Sequence, residues 1–479
     1  MFDRPIRFHA KLDPLAVAVS NGAEHITYQA LDRMVDQVAT ALAASGVGET
    51  GTREEALAAV CVRDPYLHLL LIVSCARLGV ATVSLLADHA PAMIALTGPT
   101  SVLSDDAVLK GDLVTDRAWL EKTLAAPHVE QPLVALDRNA LARVQFSSGT
   151  TGLPKAVGLS WEMMDRRVQH TWMRPKAVNR MLSLVGPASG SLPLFLSTFA
   201  RGGCNLFGPG EPRALAHSLS VLGPDLILAS PAQLAALLDA LPGQVHCLPD
   251  LQITLGGARA AAPLRRRAES MLGKISVTYA STEGGVITFG YGGAASDDRE
   301  VGYLVPWADA QVVDGDDRPV PTGVEGRIRL RGPDVAAGYL GEEPGADASF
   351  RDGWFYPGDL GMIAEDGLVR IHGREDELMN LGGEKHLPDA LEARILQVPG
   401  VIDAGAFALP DANGVDQPWV AVVRASGFKL AEADLGKVLA PLGLPPVRIA
   451  WIDAIPRSPL GKVARQTLRQ AAQVLQAKG

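Results

Sequence analysis

The chain has few of the residues that mark secreted, metal-binding or nucleic-acid-binding proteins. Its 479 residues include only four cysteines (Cys61, Cys75, Cys204 and Cys247), which lie far apart and form neither a CxxC pair nor a metal-binding spacing. We therefore expect buried thiols in a reducing compartment. The net charge is −9 and no basic stripe is present, so no nucleic-acid partner is expected; the run RRR at 265–267 is typical of the solvated face of a helix.

Long hydrophobic segments are also missing. The longest apolar run, LLLIVSCA at 69–76, is interrupted by Arg77, and it is far shorter than the ~20 residues that a membrane-spanning helix needs. The first residues, MFDRPIRFHAKLDP, lack the apolar core of a signal peptide. These absences predict a soluble, cytoplasmic protein with no membrane span.

Strand-like and helix-like patterns alternate over most of the chain. The segment HITYQALDRMVDQVATALAASGV (25–47) opens with a short strand-like piece, and a helical pattern follows it. The uninterrupted apolar runs DLILAS (225–230) and LQITLGG (251–257) are each followed by a further helical pattern. Short apolar runs without polar alternation are typical of strands buried on both faces of a parallel sheet. The alternation predicts an α/β fold with mostly parallel sheets flanked by helices.

The pattern changes after about residue 300. Turn signals such as DGDD and PTG separate short alternating runs there, which predicts a small antiparallel, β-barrel-like subdomain. The last part of the chain has an apolar pattern of its own, and we expect a small, mobile α+β domain. We place the large N-terminal domain at 1–374 and the C-terminal domain at 377–479, with a hinge at 374–377.

The segment FSSGTTGLPK at 146–155 is a candidate phosphate-binding loop. The common P-loop, GxxxxGK[ST], has its lysine directly after a glycine, whereas Leu153 and Pro154 intervene here, so an ordinary nucleotide hydrolase is not indicated. The segment still offers hydroxyl donors, backbone N–H groups and one cation; the alternative is a polar surface loop. The candidate phosphate-binding residues are Ser147, Ser148, Gly149, Thr150, Thr151, Gly152 and Lys155.

The order SSGTTGLPK resembles the signature loop of the adenylate-forming enzymes, which include acyl-CoA synthetases, firefly-type luciferases and the adenylation domains of peptide synthetases. Further segments that resemble signatures of this family follow in the required order along nearly the whole chain. They are LGGARA (255–260) with VTYASTEGG (277–285), WFYPGDLG (354–361), GREDELMNLGGEK (373–385) and PRSPLGKVARQTLR (456–469). The resemblance implies adenylation of a carboxylic acid with ATP and Mg²⁺, with release of pyrophosphate, and transfer of the acyl group to a thiol.

The resemblance also implies roles for individual residues. Those implied around adenine are Gly257, Ala258, Arg259, Tyr279, Ala280 and Ser281. Those implied at the phosphates, the magnesium ion and the ribose are Thr282, Glu283, Asp359 and Arg374, with Glu283 as the metal ligand. The chemistry agrees, because an aromatic face suits a purine and a hard carboxylate oxygen suits magnesium. Taken alone, Tyr279 could equally be a core aromatic residue.

The C-terminal part of the resemblance concerns domain movement. It implies that Asp376 is the pivot and that Lys462, in the pattern P-x-x-x-x-G-K-x-x-R, is the catalytic lysine. The residues expected on the thiol side are Gly382, Gly383 and Glu384. Three positions depart from the usual family pattern: Arg259 replaces a proline, Ala280 a glycine and Asn380 a lysine.

The acid substrate is constrained only in part. The segment GPASGSLPLF (186–195) aligns with the place where the family often has a histidine or an aromatic residue beside the carboxylate, but Ser189 and Gly190 stand there; Gly256 completes the candidate acid pocket. An aspartate for an α-amino group is missing from this segment, which disfavours an amino acid. We expect a small-molecule acid with a bulky apolar body, either aryl or medium-chain acyl.

The expected acceptor is coenzyme A, because GGEK (382–385) matches the acyl-CoA synthetase version of the hinge segment better than the peptide-synthetase version. The phosphopantetheine of an acyl carrier protein, which has the same thiol, is the alternative. Two other functions stay open: a non-catalytic adenylate-binding relic and a luciferase-like oxygenase.

Overall fold

The structure is a computed structural model that describes residues 2–49, 55–105, 111–147, 155–171, 179–241, 250–291, 297–341, 348–381, 384–411, 415–425, 427–457 and 463–476. The helices in these ranges are α1 (Arg4–Leu12), α2 (Tyr28–Ala44), α3 (Pro65–Leu78), α4 (Ala90–Thr97), α5 (Arg117–Leu124), α6 (Trp161–His170), α7 (Leu192–Ala200), α8 (Pro212–Leu222), α9 (Pro231–Ala240), α10 (Ala262–Met271), α11 (Pro388–Ile395), α12 (Glu432–Leu439) and α13 (Arg465–Gln476). The strands of the first part are β1 (Val17–Ser20), β2 (His25–Thr27), β3 (Leu57–Cys61), β4 (Ala81–Ser84), β5 (Ser101–Ser104), β6 (Leu113–Val114), β7 (Leu141–Ser147), β8 (Lys155–Ser160), β9 (Arg180–Ser183), β10 (Cys204–Leu206), β11 (Leu226–Ala229), β12 (Gln252–Leu255) and β13 (Lys274–Ser281). The later strands are β14 (Gly285–Tyr291), β15 (Glu300–Leu304), β16 (Asp309–Val313), β17 (Gly326–Arg331), β18 (Phe350–Arg351), β19 (Trp354–Phe355), β20 (Asp359–Ile363), β21 (Leu368–Arg374), β22 (Met379–Leu381), β23 (Glu384–His386), β24 (Val401–Pro410), β25 (Asp416–Arg424) and β26 (Arg448–Trp451).

Two sheets build the large N-terminal part. The first has the order β6-β5-β3-β4-β7-β8 and is parallel except for the β7–β8 hairpin. The second contains a parallel run, β13-β12-β11-β9-β10-β1. Strands β3, β11 and β12 are buried along their whole length, as their uninterrupted apolar sequences predict.

The antiparallel strands continue the second sheet at its β13 edge. Strand β14 pairs antiparallel with β13, and β15, β21, β20, β17, β19 and β18 follow, with β16 paired to β17. The sequence predicts the antiparallel pairing correctly. It does not predict that these strands share one continuous sheet with the parallel strands, because pairing between segments leaves no local pattern.

The C-terminal region has its own small elements. Strands β24, β25 and β26 form one sheet and β22 and β23 another. Helices α11 and α13 both pack on β24. The mixed α+β composition agrees with the sequence-based expectation for this part.

Apolar side chains from the helices and sheets form the cores. Helix α3 shows how the sequence directs this: Asp64 accepts hydrogen bonds from the N–H groups of Tyr66 and Leu67 at its start, and Gly79 (φ +79°) ends it in the left-handed conformation. Cys61, Cys75 and Cys204 are buried thiols, as predicted; Cys247 lies outside the described residues.

The expectation that RRR at 265–267 forms a solvated helix face is wrong for one residue. Arg265 is 1% exposed, and its Nη2 donates to the carbonyl of Asp297 at 2.8 Å, while Arg266 and Arg267 are exposed. The helical turn points the first arginine inward, where the long side chain reaches a backbone acceptor. Among the helices that the structure describes, none is long and apolar enough to cross a membrane.

Candidate functional site

The two ends of the candidate phosphate loop lie side by side. Ser147 ends β7, Lys155 begins β8, and the two residues are paired in the antiparallel ladder. Residues 148–154, which include Ser148, Gly149, Thr150, Thr151 and Gly152, lie outside the described residues. The hairpin therefore determines where the loop leaves and re-enters the sheet.

Thr282 and Glu283 come next to this hairpin from another strand. They directly follow β13, and the Thr282 hydroxyl donates to the carbonyl of Phe146 at 3.4 Å. The Glu283 residue is only 6% exposed, and its Oε1 accepts a hydrogen bond from the Tyr339 hydroxyl at 2.9 Å. The Nζ of Lys155 lies 4.5 Å from the centroid of the same tyrosine ring. An acid and a cation thus flank one aromatic ring at the base of the loop.

A buried arginine holds this turn in place. Arg167 of α6 donates to the backbone carbonyls of Thr282 (3.1 Å), Glu283 (3.2 Å) and Asp334 (2.6 Å). Burial lowers the pKa of Arg167 to about 10, with the charges of Asp334 and Glu283 opposing the effect. The guanidinium is therefore still protonated at neutral pH, and it gives each of these three backbone carbonyls a charged donor.

The carboxylate of Glu283 fits a magnesium ion. It is a hard oxygen donor, and a carboxylate that accepts one hydrogen bond keeps lone pairs for a cation. Among the described residues there is no group of three His, Cys, Asp or Glu side chains that could form a complete metal cage. A single carboxylate suits Mg²⁺ in particular, because this ion usually keeps several waters and binds substrate phosphates rather than a protein cage.

The residues expected around the nucleoside lie together on neighbouring strands. Tyr279 is on β13, and its hydroxyl donates to Oδ2 of Asp359, the first residue of β20. Burial, and after it the charge of Asp359, raise the pKa of Tyr279 well above its usual value. Gly256 and Gly257 follow β12, the parallel neighbour of β13, and Gly257 has φ +82°, a conformation that favours glycine.

The candidate hinge residue Asp376 is connected to the candidate ribose site by one arginine. Arg374 pairs with Asp359 across β20 and β21, and its Nη1 lies 3.6 Å from Oδ1 of Asp359. The same guanidinium donates to both carboxylate oxygens of Asp376, at 2.9 and 3.1 Å. Asp359, Arg374 and Asp376 therefore form a continuous chain of charges.

The candidate acid pocket reaches the same strand end as the phosphate loop. Gln145 of β7 donates to the carbonyl of Ser189 at 3.2 Å. A Cβ at Gly190 would have open space around it, whereas a Cβ at Gly256 would lie 3.1 Å from the Thr278 side chain. Gly190 therefore leaves room beside Ser189, while Gly256 permits close packing against β13.

The C-terminal region carries the predicted lysine loop. Lys462 and its neighbours 458–461 lie outside the described residues, as do Gly382 and Gly383. Both ends of the lysine loop are held: Arg457 and Val463 form a β-bridge, and Arg457 donates to both carboxylate oxygens of Asp403, at 3.1 and 2.6 Å. Glu384, expected on the thiol side, begins β23 and is exposed.

Arg465, three residues after Lys462, is the centre of a partly buried ion cluster. Its Nε is 3.2 Å from Glu377 and its Nη2 is 2.7 Å from Asp389, while its Nη1 donates to Glu392. Asp389 is also 3.5 Å from Nη1 of Arg259, in the candidate adenine segment. The cluster thus connects the flank of the lysine loop with the hinge segment and with the large domain.

Several of these functional candidates were not predicted from the sequence. Arg167, Asp334, Tyr339 and Gln145 lie outside the quoted motifs or had no role assigned, and their contacts join segments far apart in the chain. Arg465 did carry a signal, since it is the arginine of P-x-x-x-x-G-K-x-x-R.

Comparison with known proteins identifies the family of the chain. A family model described as "AMP-binding enzyme" matches residues 6–340. The chain belongs to the AMP-binding enzyme family, and the predicted relationship to the adenylate-forming enzymes is confirmed. Together with the curated relatives that are named CoA ligases, the match confirms the predicted class, an AMP-forming acid–thiol ligase.

Two curated relatives and one solved structure illustrate the similarity. The chain is 30% identical to a 2-hydroxy-7-methoxy-5-methyl-1-naphthoate–CoA ligase of Streptomyces carzinostaticus, over 76% of this chain and 69% of that protein. It is 28% identical to a salicylyl-CoA synthase/salicylate adenylyltransferase of a Streptomyces species, over 75% of this chain and 66% of that protein, just under two thirds of its length. The ATP-bound crystal structure of MatB from Rhodopseudomonas palustris superimposes with a TM-score of 0.84 at 23% identity, over 98% of this chain and 99% of the other. That likeness is one of fold, and it confirms the predicted fold class over nearly the whole chain.

Proposed function

We propose that the protein joins an aryl carboxylic acid to coenzyme A through an acyl-adenylate. The observation that carries the proposal is the meeting of three segments at the end of β7. Ser147 leads into the phosphate loop there, the Thr282 hydroxyl donates to Phe146, and Gln145 donates to the acid-pocket residue Ser189. Phosphates and acid would therefore meet at this strand end.

The chemistry needs such a meeting point. A carboxylate is a poor electrophile because its oxygen is a poor leaving group. In the first step a carboxylate oxygen attacks the α-phosphorus of ATP, an O–P bond forms, and pyrophosphate leaves. In the second step the thiol sulfur attacks the acyl carbon, AMP leaves, and the thiol proton passes to solvent. Both partners of the first step are anions, so cations have to converge on the reacting centre.

The residues supply this charge compensation as follows. Lys155 and the loop 147–152 bind the β- and γ-phosphates, and Thr282 lies beside them. Glu283 holds Mg²⁺, which neutralises phosphate charge when it is bound. The ammonium of Lys462 binds between the carboxylate and the α-phosphate and stabilises the transition state. Tyr279 stacks on adenine, while Asp359 accepts the ribose hydroxyls beside Arg374.

The acid substrate is expected to be aromatic. The open space at Gly190 beside Ser189 leaves room for a ring at the place where the family often has a larger side chain. The names of the two curated relatives support an aryl acid, because salicylate and a hydroxynaphthoate are both aryl carboxylates. A medium-chain acyl acid is the other class to test.

The second step requires the C-terminal part to move. We propose that residues 377–479 rotate relative to 1–374 about Asp376, carrying Lys462 away and bringing Gly382, Gly383 and Glu384 to the thiol. The cytoplasmic location stays a prediction, and it is consistent with a reaction that consumes ATP and coenzyme A.

Pyrophosphate release measured over a panel of aryl and medium-chain acids, with free CoA and then with a phosphopantetheinyl carrier protein, tests the proposal. We expect release with aryl acids and thioester formation with free CoA. Thioester formation only on the carrier protein would show that the acceptor is its phosphopantetheine and not free CoA. Absence of release with every acid would refute the proposal and favour a non-catalytic relic, and acid-dependent oxygen uptake would favour a luciferase-like oxygenase.

Substitution of the lysine separates the two steps. Lys462→Ala should slow adenylation by ~10²–10³ or more, the scale for losing a preorganised charge donor, and should largely spare thioester formation from a supplied acyl-adenylate. Lys437→Ala is the matched control, because Lys437 is an exposed residue of α12 paired with Asp434. An equal loss in both half-reactions would refute the role of Lys462.

A further inference from the structure

Arg143 lies in β7 and is 0% exposed. Its Nη1 donates to the Thr82 hydroxyl at 3.0 Å, and its Nη2 donates to the Ser84 hydroxyl. Both hydroxyls belong to β4, the parallel neighbour of β7, in which Thr82 is paired with Arg143. Because Ser84 is two residues further along β4 than Thr82, the guanidinium reaches toward the carboxyl ends of both strands.

The groups around this guanidinium are neutral. Nδ1 of His68 lies 3.0 Å from the carbonyl oxygen of Val62, which can only accept, so Nδ1 carries the hydrogen and Nε2 accepts from the Ser84 hydroxyl at 2.6 Å. Burial, and after it the charge of Arg143, lower the pKa of His68 to about 4. Burial also raises the pKa of the neighbouring Cys75 thiol to about 12. Among the residues that the structure describes, no carboxylate contributes to the pKa of Arg143.

Arg143 therefore carries a buried positive charge without a buried negative charge beside it. Burial lowers its pKa to about 9, so the guanidinium is still protonated at neutral pH. Its Nε has no hydrogen-bond partner in the described part of the chain. Such a charge is unfavourable, because burial removes its hydration and no opposite charge replaces it. An anion bound nearby would recover part of that free energy.

The charge lies below the strand end that carries the candidate site. Arg143, Gln145 and Ser147 alternate along β7, so their side chains lie on the same face of the sheet. Gln145 contacts the acid-pocket residue Ser189, and Ser147 leads into the candidate phosphate loop. With a rise of about 3.3 Å per residue, the guanidinium lies roughly 7–13 Å below the level of Ser147. Charges at this separation still attract each other in a protein, where the effective dielectric constant is about 20.

We propose that the buried charge of Arg143 contributes to the binding of the ATP phosphates without touching them. The inference rests on the proposed function, in which the phosphates bind at the end of β7. A charge that Thr82 and Ser84 already hold in place needs no rearrangement when the anion arrives. The alternative is that Arg143 only joins β4 to β7. The two roles differ in how the effect of a substitution depends on the charge of the ligand.

Calorimetric titration with adenosine, AMP and ATP at pH 8, without Mg²⁺ and without any acid, distinguishes them. These ligands carry charges of about 0, −2 and −4 at that pH. Arg143→Met removes the charge and keeps much of the volume. Its affinity should stay within about twofold of the original for adenosine, fall about tenfold for AMP and fall further for ATP. Thr82→Val removes one hydroxyl contact and leaves the charge, so this matched control should change each affinity by less than about twofold.

Arg143→Gln is a second neutral variant that can still donate to Thr82, and it should show the same dependence on ligand charge. It provides the test if the methionine variant does not fold. Equal losses for adenosine, AMP and ATP, or no loss for any of them, would overturn the inference. Lys155→Met tests the proposed function separately. If that substitution left the affinity for ATP unchanged, the phosphate site would be refuted, whereas losses in Arg143→Met that ignore ligand charge would refute only the role of Arg143.

Discussion

Replacing Arg465 with methionine tests how the lysine loop is held. The side chain is 9% exposed, and it contacts three carboxylates from two segments: Glu377 beside the hinge, and Asp389 and Glu392 on α11. Methionine has a similar length and no charge, so the substitution removes the ion pairs and keeps much of the packing. The carboxylates then face each other without their central cation.

The loss of stability expected for Arg465→Met follows from the burial of the Arg465 side chain. Removing one partner of a buried ion pair costs about 3–5 kcal/mol because the other charge stays buried without compensation. Arg259 also reaches the cluster, but its Nη1 is 3.5 Å from Asp389 and its side chain is 30% exposed, so it compensates little. We expect the opening free energy of α13 to fall by about 3 kcal/mol at pH 8.5.

The destabilisation caused by Arg465→Met should depend on pH because Glu392 titrates. Burial raises its pKa from 4.5 to about 7, with the charge of Arg465 opposing this and the charge of Asp389 adding to it. A carboxyl whose folded pKa is raised holds a proton that the unfolded chain has released, so its contribution to stability falls as the pH rises from 4.5 to 7. The fall is about 1.4 kcal/mol per pH unit within this window.

Without Arg465 the pKa of Glu392 rises further. The pH range over which the stability of the protein falls therefore extends above pH 7. At pH 6 Glu392 is protonated in both proteins and adds little to the difference between them. At pH 8.5 it adds about 1.4 kcal/mol for each unit of additional shift. The substitution should therefore cost about 1–2 kcal/mol more at pH 8.5 than at pH 6.

Hydrogen–deuterium exchange of α13 peptides in the full-length protein, corrected for the intrinsic rate at each pH, measures this local opening. Arg469→Met is the control on the same helix, since Arg469 is exposed and its loss should change the opening free energy by less than about 0.5 kcal/mol. A cost that is equal at both pH values, or no larger than that of the control, would refute the reasoning.

Two further substitutions test the hinge and the nucleoside site. Asp376→Pro should leave pyrophosphate exchange intact and abolish thioester formation, because proline restricts the backbone at the pivot; loss of both half-reactions would contradict a hinge. Tyr279→Ala should raise the KM for ATP by about 5–150-fold, the scale of 1–3 kcal/mol for stacking on a base. Tyr279→Phe keeps the ring and releases Asp359 from the tyrosine hydroxyl, so its KM for ATP should be unchanged or lower, and a rise as large as that of alanine would argue against stacking.

The features that local sequence determines could be predicted. Bare apolar runs give the buried strands β11 and β12, and the helical spacing of Leu31, Val35, Val38 and Leu42 gives the buried face of α2. Motif order allowed the site segments to be identified, and the structure brings Tyr279 beside Asp359 although 80 positions separate them in the chain.

Contacts that depend on three-dimensional packing could not be predicted in this way. Arg167 and Arg265 both lie in helices with polar surroundings, where sequence pattern indicates solvent, yet both are buried on backbone carbonyls. The direction of a single long side chain depends on which distant segment packs against the helix, and that information is absent from a local window. Tyr339 was not predicted for the same reason, since its contacts Lys155, Glu283 and Phe350 come from three different parts of the chain.

The ion pairs within the small domain are stronger than the pair that joins it to the large domain, as the proposed rotation requires. The ion pairs that Arg465 forms with Glu377, Asp389 and Glu392 lie wholly within residues 377–479, so the proposed rotation would leave them intact. The pair that crosses from the large domain, Arg259 with Asp389, is longer at 3.5 Å, and the Arg259 side chain is 30% exposed whereas that of Arg465 is 9% exposed. Exposed ion pairs contribute about 0–1 kcal/mol. Because Arg259 stands where the family usually has a proline, the proposed rotation would break a weak contact in this chain, whereas the ion pairs of Arg465 would keep the start of α13 joined to the candidate hinge segment.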